Sequence, residues 1–353
     1  MSRSALVGMS AWLACCCFGA AEPLAQALAS PFDVANHAFP RAAAKSAPCP
    51  ATPAVVRDLD AMAYYADPAG SQPDEAKRQR NREIVKPLNV FTDLVLQQSD
   101  LFMATGSSEA AGCALGLLQA WAEGGALEGE LTTQGQFHRN WSTNAFATAF
   151  LIVRSAPGLD TVAKEEVQDW LARLCTLDQT LAERVSNNHL LWCAASCATA
   201  GIASGRNDQL DWAIATAEQA LDEVTEQGVL PREAARGARA LAYHNFALEA
   251  LVVVAEMAGA NGRDLYRHHD EALRRLANFV IRNAADPAEA AELAGVPQSW
   301  SGATSGRFVW AEPYYRRFRD PRLKELLKRL RPMRHAFFGG NATLMYGVHP
   351  LEG

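Results

Sequence analysis

The sequence predicts an all-α fold, on three observations. Apolar residues make up 49% of the 353-residue chain. Ala and Leu, both good helix formers, recur throughout. Segments of helical pattern alternate with Gly, Pro or Asn-Asp breaks. The candidate helices cover about 75 to 104, 109 to 123, 140 to 154, 161 to 185, 187 to 202, 207 to 227, 231 to 258 and 264 to 284. The short breaks between them predict antiparallel neighbours. No internal repeat is evident, which makes a helical solenoid the lesser alternative. The length is ample for one large helical domain or two small ones.

Two of these helices carry residues that core packing does not require. Ser186-Asn187 can cap a helix that runs through Leu190, Trp192, Ala194, Ala195 and Ala198 to Gly201. Asn188 and His189 then fall in its first turn, where free N–H groups and the helix dipole favour an anion. A lone His on an apolar helix is usually a core residue, whereas beside Asn at a helix start it is a candidate for gripping a carboxylate. Pro231, after Gly228-Val229-Leu230, suits the first turn of a second helix, and Gly259 suits its end. Along one continuous helix, Arg236, Arg239 and Tyr243 recur at three and four residues and share a face. That spacing serves either a lined cleft or a solvated arginine ladder beside a half-buried tyrosine. An amide, an imidazole, guanidiniums and a phenol together form an inventory for removing a proton next to a carboxylate.

Residues 1–21 read as an export signal. Arg3 precedes an apolar run from Ala5 to Phe18, and Gly19 to Ala21 offer a cleavage site, with Ala27-Leu28-Ala29 a second choice. The run is too short for a membrane span, so no stable membrane insertion is expected. The expected location is the periplasm, or the exterior; Leu13-Ala14 before Cys15 keeps a lipoprotein as the minor alternative. Cys15, Cys16 and Cys17 would leave with the signal, and the five cysteines that remain cannot all pair within the chain. Cys193 and Cys197 share a helix face, a poor disulfide geometry, and read as small buried apolar residues. No Cys-His spacing resembles a zinc site, and His268-His269-Asp270 reads as an exposed charged turn rather than a metal ligand set. A net charge of −6 argues against nucleic acid as a partner. It does not report the potential inside a cleft.

Asn187-Asn188-His189-x-x-Trp192, Leu230-Pro231 and the run Arg236-x-x-Arg239-Ala-Leu-Ala-Tyr243-His244-Asn245 closely resemble the alginate lyases of polysaccharide lyase family five. Further landmarks follow in family order: Ala47-Pro48-Cys49-Pro50, Cys113-Ala114-Leu115, Ala120-Trp121-Ala122-Glu123, Arg139-Asn140-Trp141, Trp310-Ala311-Glu312-Pro313-Tyr314 and Gly339-Gly340-Asn341. Three positions depart from the family pattern. Leu191 stands where Tyr is usual, the early segment from Tyr64-Tyr65 to Gly70-Ser71 lacks the neighbouring lysine, and Phe337 replaces an arginine before the glycine pair. These departures bear on substrate choice more than on reaction type.

The resemblance implies one domain over residues 30–353: an incomplete α/α toroid with a tunnel-like cleft and an N-terminal lid loop at about 60–80. It also implies a Cys49–Cys113 disulfide and an anionic uronic acid polysaccharide as substrate, cut without a metal or organic cofactor; a monomer is expected. Cleavage by β-elimination removes the proton at C5, beside the C6 carboxylate, and expels the oxygen at C4. The carboxylate must be neutralised as charge builds on it, which preorganised donors achieve at about 3 to 4 kcal/mol each. By resemblance Asn188 and Arg236 take that role with His189 assisting, and Tyr243 shuttles the proton. A free phenol titrates near 10, about three units above neutral pH; neighbouring guanidiniums favour its charged form.

Tyr65, Arg139, Trp141, Trp192 and Arg239 are the expected substrate-binding residues, with Trp121 and Tyr314 as further stacking candidates. In mannuronate and glucuronate the C5 proton and C4 oxygen lie on one side, so one Tyr serves both; in guluronate they are opposed, and His189 is the candidate second base. The expected activity is cleavage of mannuronate-rich alginate. The alternatives are a lyase for polyglucuronate or hyaluronan-type chains, and a periplasmic glycan-binding protein without turnover. Hydrolysis by paired carboxylates is disfavoured, because no such pair can be assigned beside these motifs.

Overall fold

A computed structural model describes residues 28–32, 48–67, 70–349 and 351; the predicted signal at residues 1–21 lies outside them. The described chain is built from α-helices, with one two-stranded hairpin. Long helices come first: α1 Glu75–Thr105, α2 Ser108–Glu123, α3 Thr133–Val153, α4 Thr161–Ala182, α5 Asn188–Ser204 and α6 Asn207–Asp222. After the single turn α7 Pro231–Ala234 come α8 Ala240–Ala260 and α9 His268–Arg282. Short helices α10 Ala288–Ala294, α11 Ala311–Phe318, α12 Pro321–Leu330 and α13 Ala342–Tyr346 complete the order.

Side-chain caps explain where most of the long helices begin. Asp74, Ser107, Thr132, Asp160 and Asn187 each accept a backbone N–H from the first turn of α1 to α5 in that order. Gly106 and Gly205 end α1 and α5 in the left-handed conformation.

α5 lies at the centre, packed against α3, α4, α6 and α8. Its residues from Leu191 to Ala203 are all buried, which its Ala-rich sequence permits by letting neighbours approach closely. The stretch Gly237–Ala260 is long and apolar enough to cross a membrane, but 89% of its most apolar window is buried inside the protein. It is the core helix beside α5.

The predicted helices at 75–104, 109–123, 161–185, 187–202 and 207–227 match the observed ones closely at their starts. Three others differ. The predicted 140–154 helix begins at Thr133 because Thr132 caps it. The 264–284 helix opens with a 3-10 turn, Leu265–Arg267, and a left-handed turn at His269, Asp270 and Glu271. The 231–258 helix is broken: α7 ends at Ala234, Gly237 adopts φ +54°, and a 3-10 turn Gly237–Arg239 leads into α8. The single-face argument for Arg236, Arg239 and Tyr243 therefore fails as stated. The short helices after Arg282 are absent from the prediction, although α12 carries a start signal, the Asp320 cap before Pro321, and buried Leu323 and Leu327 one turn apart.

Cys49 bridges to Cys113 on α2, as expected, and ties the N-terminal segment to the helical body. Cys197 corrects the expectation made for it. It pairs with Cys175 of α4 across the α4–α5 interface, leaving Cys193 as the free, buried cysteine among the described residues.

A second tie crosses the same region. Arg139 of α3 donates from Nε to Asp178 of α4 at 2.8 Å and from Nη2 to the Leu177 carbonyl at 2.9 Å; Ser196 of α5 donates to the other Asp178 oxygen at 2.9 Å. Both charged side chains are buried, at 6% and 0% exposure. Arg139, expected at the substrate, is instead buried and paired within the helical body. Arg139→Ala is expected to cost about 3–5 kcal/mol in denaturant unfolding, because it strands a buried carboxylate. A loss within about 1 kcal/mol, the range of a surface pair, would contradict this.

Candidate active site

The largest cleft that gathers the predicted residues has a volume of about 660 Å³. Its floor is α8, which contributes Tyr243, Asn245, Phe246 and Glu249. Arg239, Tyr65, Trp141 and His189 line it as well. Arginines missed by sequence reasoning, Arg78 and Arg82 on α1 and Arg307 before α11, face the same space. With Arg239 they make four cations around the cleft of a chain whose net charge is −6. The polarity of their surroundings in sequence gave no signal, since exposed arginines are common on any helical surface.

The break before α8 shapes the reactive end. Where the chain turns at Gly237, Arg236 folds back over the Tyr243 ring, its guanidinium carbon 3.8 Å from the ring centroid. Arg239 lies 5.2 Å from the same centroid and 5.5 Å from that of Tyr65. The three residues therefore meet, by a kink rather than by helical periodicity. His244 and Asn245, adjacent in the motif, do structural work. His244 donates from Nδ1 to the Ala240 carbonyl and accepts the Leu230 N–H at Nε2, 3.0 Å away; burial holds its pKa down at about 4, which keeps that acceptor available. Asn245 donates to the Arg307 carbonyl at 2.7 Å and accepts the Trp310 indole N–H at 2.9 Å, fixing the backbone that presents Arg307.

The loop that begins at Tyr64 reaches the phenol. Tyr65 pairs with Pro73 as an antiparallel bridge, and the Asp67 carboxylate accepts the N–H groups of Ser71 and Gln72, which closes the loop on itself. Tyr243 donates its hydroxyl to that of Tyr65 at 2.7 Å. Burial, more than the neighbouring Tyr243, pushes Tyr65 up to about 12, and burial with Tyr65 beside it does the same to Tyr64, so both phenols are neutral. Gly70 has φ +63°, and a Cβ there would come within 2.4 Å of Arg236 Nη2. Only glycine lets the backbone lie this close to the guanidinium.

His189 stacks on Phe137 with centroids 3.6 Å apart. Burial, with the Arg236 charge adding to it, lowers its pKa to about 3, so the imidazole is neutral. Asn188 opens α5, in the first turn where the sequence places it. It is fully buried, and both its backbone N–H and its side-chain amide donate to Glu233, at 2.6 and 3.0 Å. The anion at the start of α5 is the chain's own carboxylate. Burial pushes Glu233 above the usual carboxylate range, while the Asn188 donors and Arg236, at 3.9 Å, pull against that rise.

Trp192, with Trp121 and Tyr314, belongs to the core at no more than 2% exposure and offers no stacking face to a sugar. Trp141 alone of the expected tryptophans reaches the cleft, stacked on Phe337 at 4.6 Å. Phe337 sits in the hairpin between β1 Arg334–His335 and β2 Gly340–Asn341, and its carbonyl accepts the Asn144 amide at 2.6 Å. Gly339, at φ +106°, has Thr148 where a Cβ would fall.

Comparison with known proteins bears on the family and the fold. The family model described as alginate lyase matches residues 58–290. A polysaccharide lyase of Stenotrophomonas maltophilia is 33% identical over 306 residues, covering 85% of this chain and 91% of that protein. An alginate lyase of Pseudomonas aeruginosa is 32% identical over 266 residues, 72% of this chain and 71% of its own length. Among solved structures, alginate lyase A1-III of Sphingomonas species A1 superposes with a TM-score of 0.76 at 23% identity, covering 93% of this chain and 99% of that one. That likeness shows the fold to be an α/α toroid. With the family model spanning most of the toroid and relatives above 30% identity along most of their length, the chain belongs to the alginate lyase family of polysaccharide lyases.

Proposed function

We propose that this chain is a mannuronate-directed alginate lyase that cuts by β-elimination, without a metal or organic cofactor. The observation that carries the reading is the Tyr243 phenol on the floor of an arginine-lined cleft, with Arg236 and Arg239 against its ring. Mannuronate places the C5 proton and the C4 oxygen on one side, which suits a site with one such phenol. Tyr243, as phenolate, takes the C5 proton. The electron pair released delocalises onto the C6 carboxylate, then forms the C4–C5 double bond as the C4–O bond breaks, and the departing oxygen takes the proton back from Tyr243.

Arg239, which lines the cleft, and Arg236 behind the phenol replace Asn188 as the groups that balance charge on the carboxylate. Asn188, held by Glu233, fixes the first turn of α5 and so the placement of His189. His189 enters as a neutral imidazole able to donate or accept a hydrogen bond. Tyr65 holds the Tyr243 hydroxyl through their mutual hydrogen bond and leaves it when a sugar ring enters. Export to the periplasm is part of the same proposal, supported by the composition of residues 1–21 and by two disulfides in a body that an oxidising compartment would form.

Ultraviolet absorbance of the unsaturated uronate product tests the reading. Wild type is expected to act on polymannuronate in preference to polyguluronate. Tyr243→Phe, folded by circular dichroism, should lose about 10²- to 10⁴-fold in kcat; full activity would remove the shuttle assignment. Arg239→Ala should reduce kcat by about 10²- to 10³-fold, the loss typical of one donor at a developing oxyanion, whereas a change in KM alone would make it a binding residue only. In nuclear magnetic resonance titrations the His189 imidazole is expected to stay neutral from pH 8 down to pH 5, because its folded value of about 3 lies below that window. A midpoint near the ordinary value of about 6.5 would show that burial does not control it.

A further inference from the structure

The C-terminal helices carry charge that the catalytic cleft does not use. Residues 316–331 hold eight Lys or Arg against two acids, in a chain whose net charge is −6. Most of these cations are paired: Arg316 with Glu256, Arg317 with Asp264, Arg322 with Asp320, Lys328 with Glu325 and Arg331 with Glu312. Arg329 is exposed and has no acidic partner among the described residues.

Arg322 and Arg329 stand seven residues apart on α12, so they share a face and lie two turns, about 10.5 Å, apart along it. That face opens onto a cavity of about 590 Å³, to which Arg282 of α9 contributes a third guanidinium. Leu323, Leu326, Ala303 and Phe308 give the cavity its apolar lining. Its carboxylate, Glu325, accepts Lys328 at 2.7 Å. Arg282 donates from Nε and Nη2 to Glu289, and Arg322 donates from the same two nitrogens to Asp320. The acids therefore hold each guanidinium by one edge and leave its Nη1 for a ligand.

The loop from Ser299 to Phe308 is the wall between this cavity and the catalytic cleft. Trp300, Thr304, Gly306 and Arg307 line the cleft, whereas Gly302, Ala303 and Phe308 line the second cavity. The wall is fastened at its start, where the Ser299 N–H is donated to the Ala238 carbonyl and the Trp300 indole to the Ala284 carbonyl. A compact anion calls for donors that converge on one point. Guanidiniums two turns apart on one helix face instead suit carboxylates repeated along an extended chain.

We infer that the Arg282–Arg322–Arg329 cavity is a second binding site for polyuronate, outside the catalytic cleft, which holds one stretch of a long chain while another lies against Tyr243. The inference rests on the reading of the substrate as a polyuronate, and it adds a site that the reading does not contain. A chain that crosses the 299–308 loop makes its second contact within one complex, which raises the affinity for polymer above that for a short oligosaccharide.

The test compares long polymannuronate with its tetrasaccharide, with the unsaturated product as readout. Arg329→Glu, at an exposed position outside the cleft, should raise KM for the long polymer about five- to tenfold and leave kcat unchanged. Kinetics on the tetrasaccharide, which engages the cleft alone, should not move, and Arg329→Lys should behave as wild type. Fluorescently labelled long polymannuronate should bind Tyr243→Phe more tightly, by the same factor, than it binds the double variant Tyr243→Phe/Arg329→Glu. Unchanged KM and Kd for the long polymer, or an equal loss on the tetrasaccharide, would overturn the second site and leave the Tyr243 reading standing. No product from wild type, with polymer still bound through Arg329, would overturn the Tyr243 reading and keep the second site. Binding to phosphatidylglycerol vesicles that is lost in Arg329→Glu, with polymer affinity unmoved, would assign the cavity to a lipid surface and overturn the inference.

Discussion

The Glu233 carboxylate at the start of α5 holds the site together. It is buried, accepts the backbone and side-chain donors of Asn188, and lies within ion-pair distance of Arg236. One group thereby joins the central helix to the turn that precedes α8. It also satisfies the positive end of the α5 dipole from inside the protein. The first turn of α5 is therefore occupied by the chain's own carboxylate.

Arg236 and Arg239 owe their positions to a broken helix. Continuous helix from Pro231 onward would have strung Arg236, Arg239 and Tyr243 along a stripe, each about a turn from the next. The turn at Gly237 instead lays Arg236 over the ring of Tyr243 and brings the Gly70 backbone against its guanidinium. Burial, with the nearby Arg239 charge adding to it, lowers the Arg307 pKa. Low-dielectric surroundings make the same charges more effective toward an anionic substrate than exposed ones. The acidic exterior and the basic cleft coexist because the potential inside follows local charges rather than the net count.

Aromatic residues divide along the same line between interior and cleft. Trp121, Trp170 and Trp310 are buried, each with its indole N–H donated to a protein acceptor: the Pro53 carbonyl, the Ala126 carbonyl and Asn245 Oδ1. They hold loops to helices. Trp141 and Phe337 form a wall instead, made possible by a hairpin whose Gly339 tolerates the close approach of Thr148 and whose Phe337 carbonyl is fastened to Asn144 of α3. No local pattern separates these two uses of tryptophan. Both kinds sit among apolar neighbours in helices, and only the partner across space tells them apart.

The sequence by itself determined the all-α class, the starts of the capped helices α1, α2, α4 and α5, the Cys49–Cys113 bridge through its family context and, through the motif rather than helical spacing, the gathering of His189, Arg236, Arg239 and Tyr243. These are legible because caps, periodicity and an ordered motif set are local or nearly so. Tertiary structure alone decided that Arg139 pairs with Asp178, that Asn188 serves Glu233, that Trp192 is core, and that Cys197 bridges to Cys175. It also decided which of many arginines face the cleft. Each of these depends on a partner distant in sequence, from 22 residues for the second disulfide to 45 for Asn188 and Glu233. A buried polar group takes whichever partner the fold brings to it, because leaving it unpaired away from water costs more than any local preference can supply.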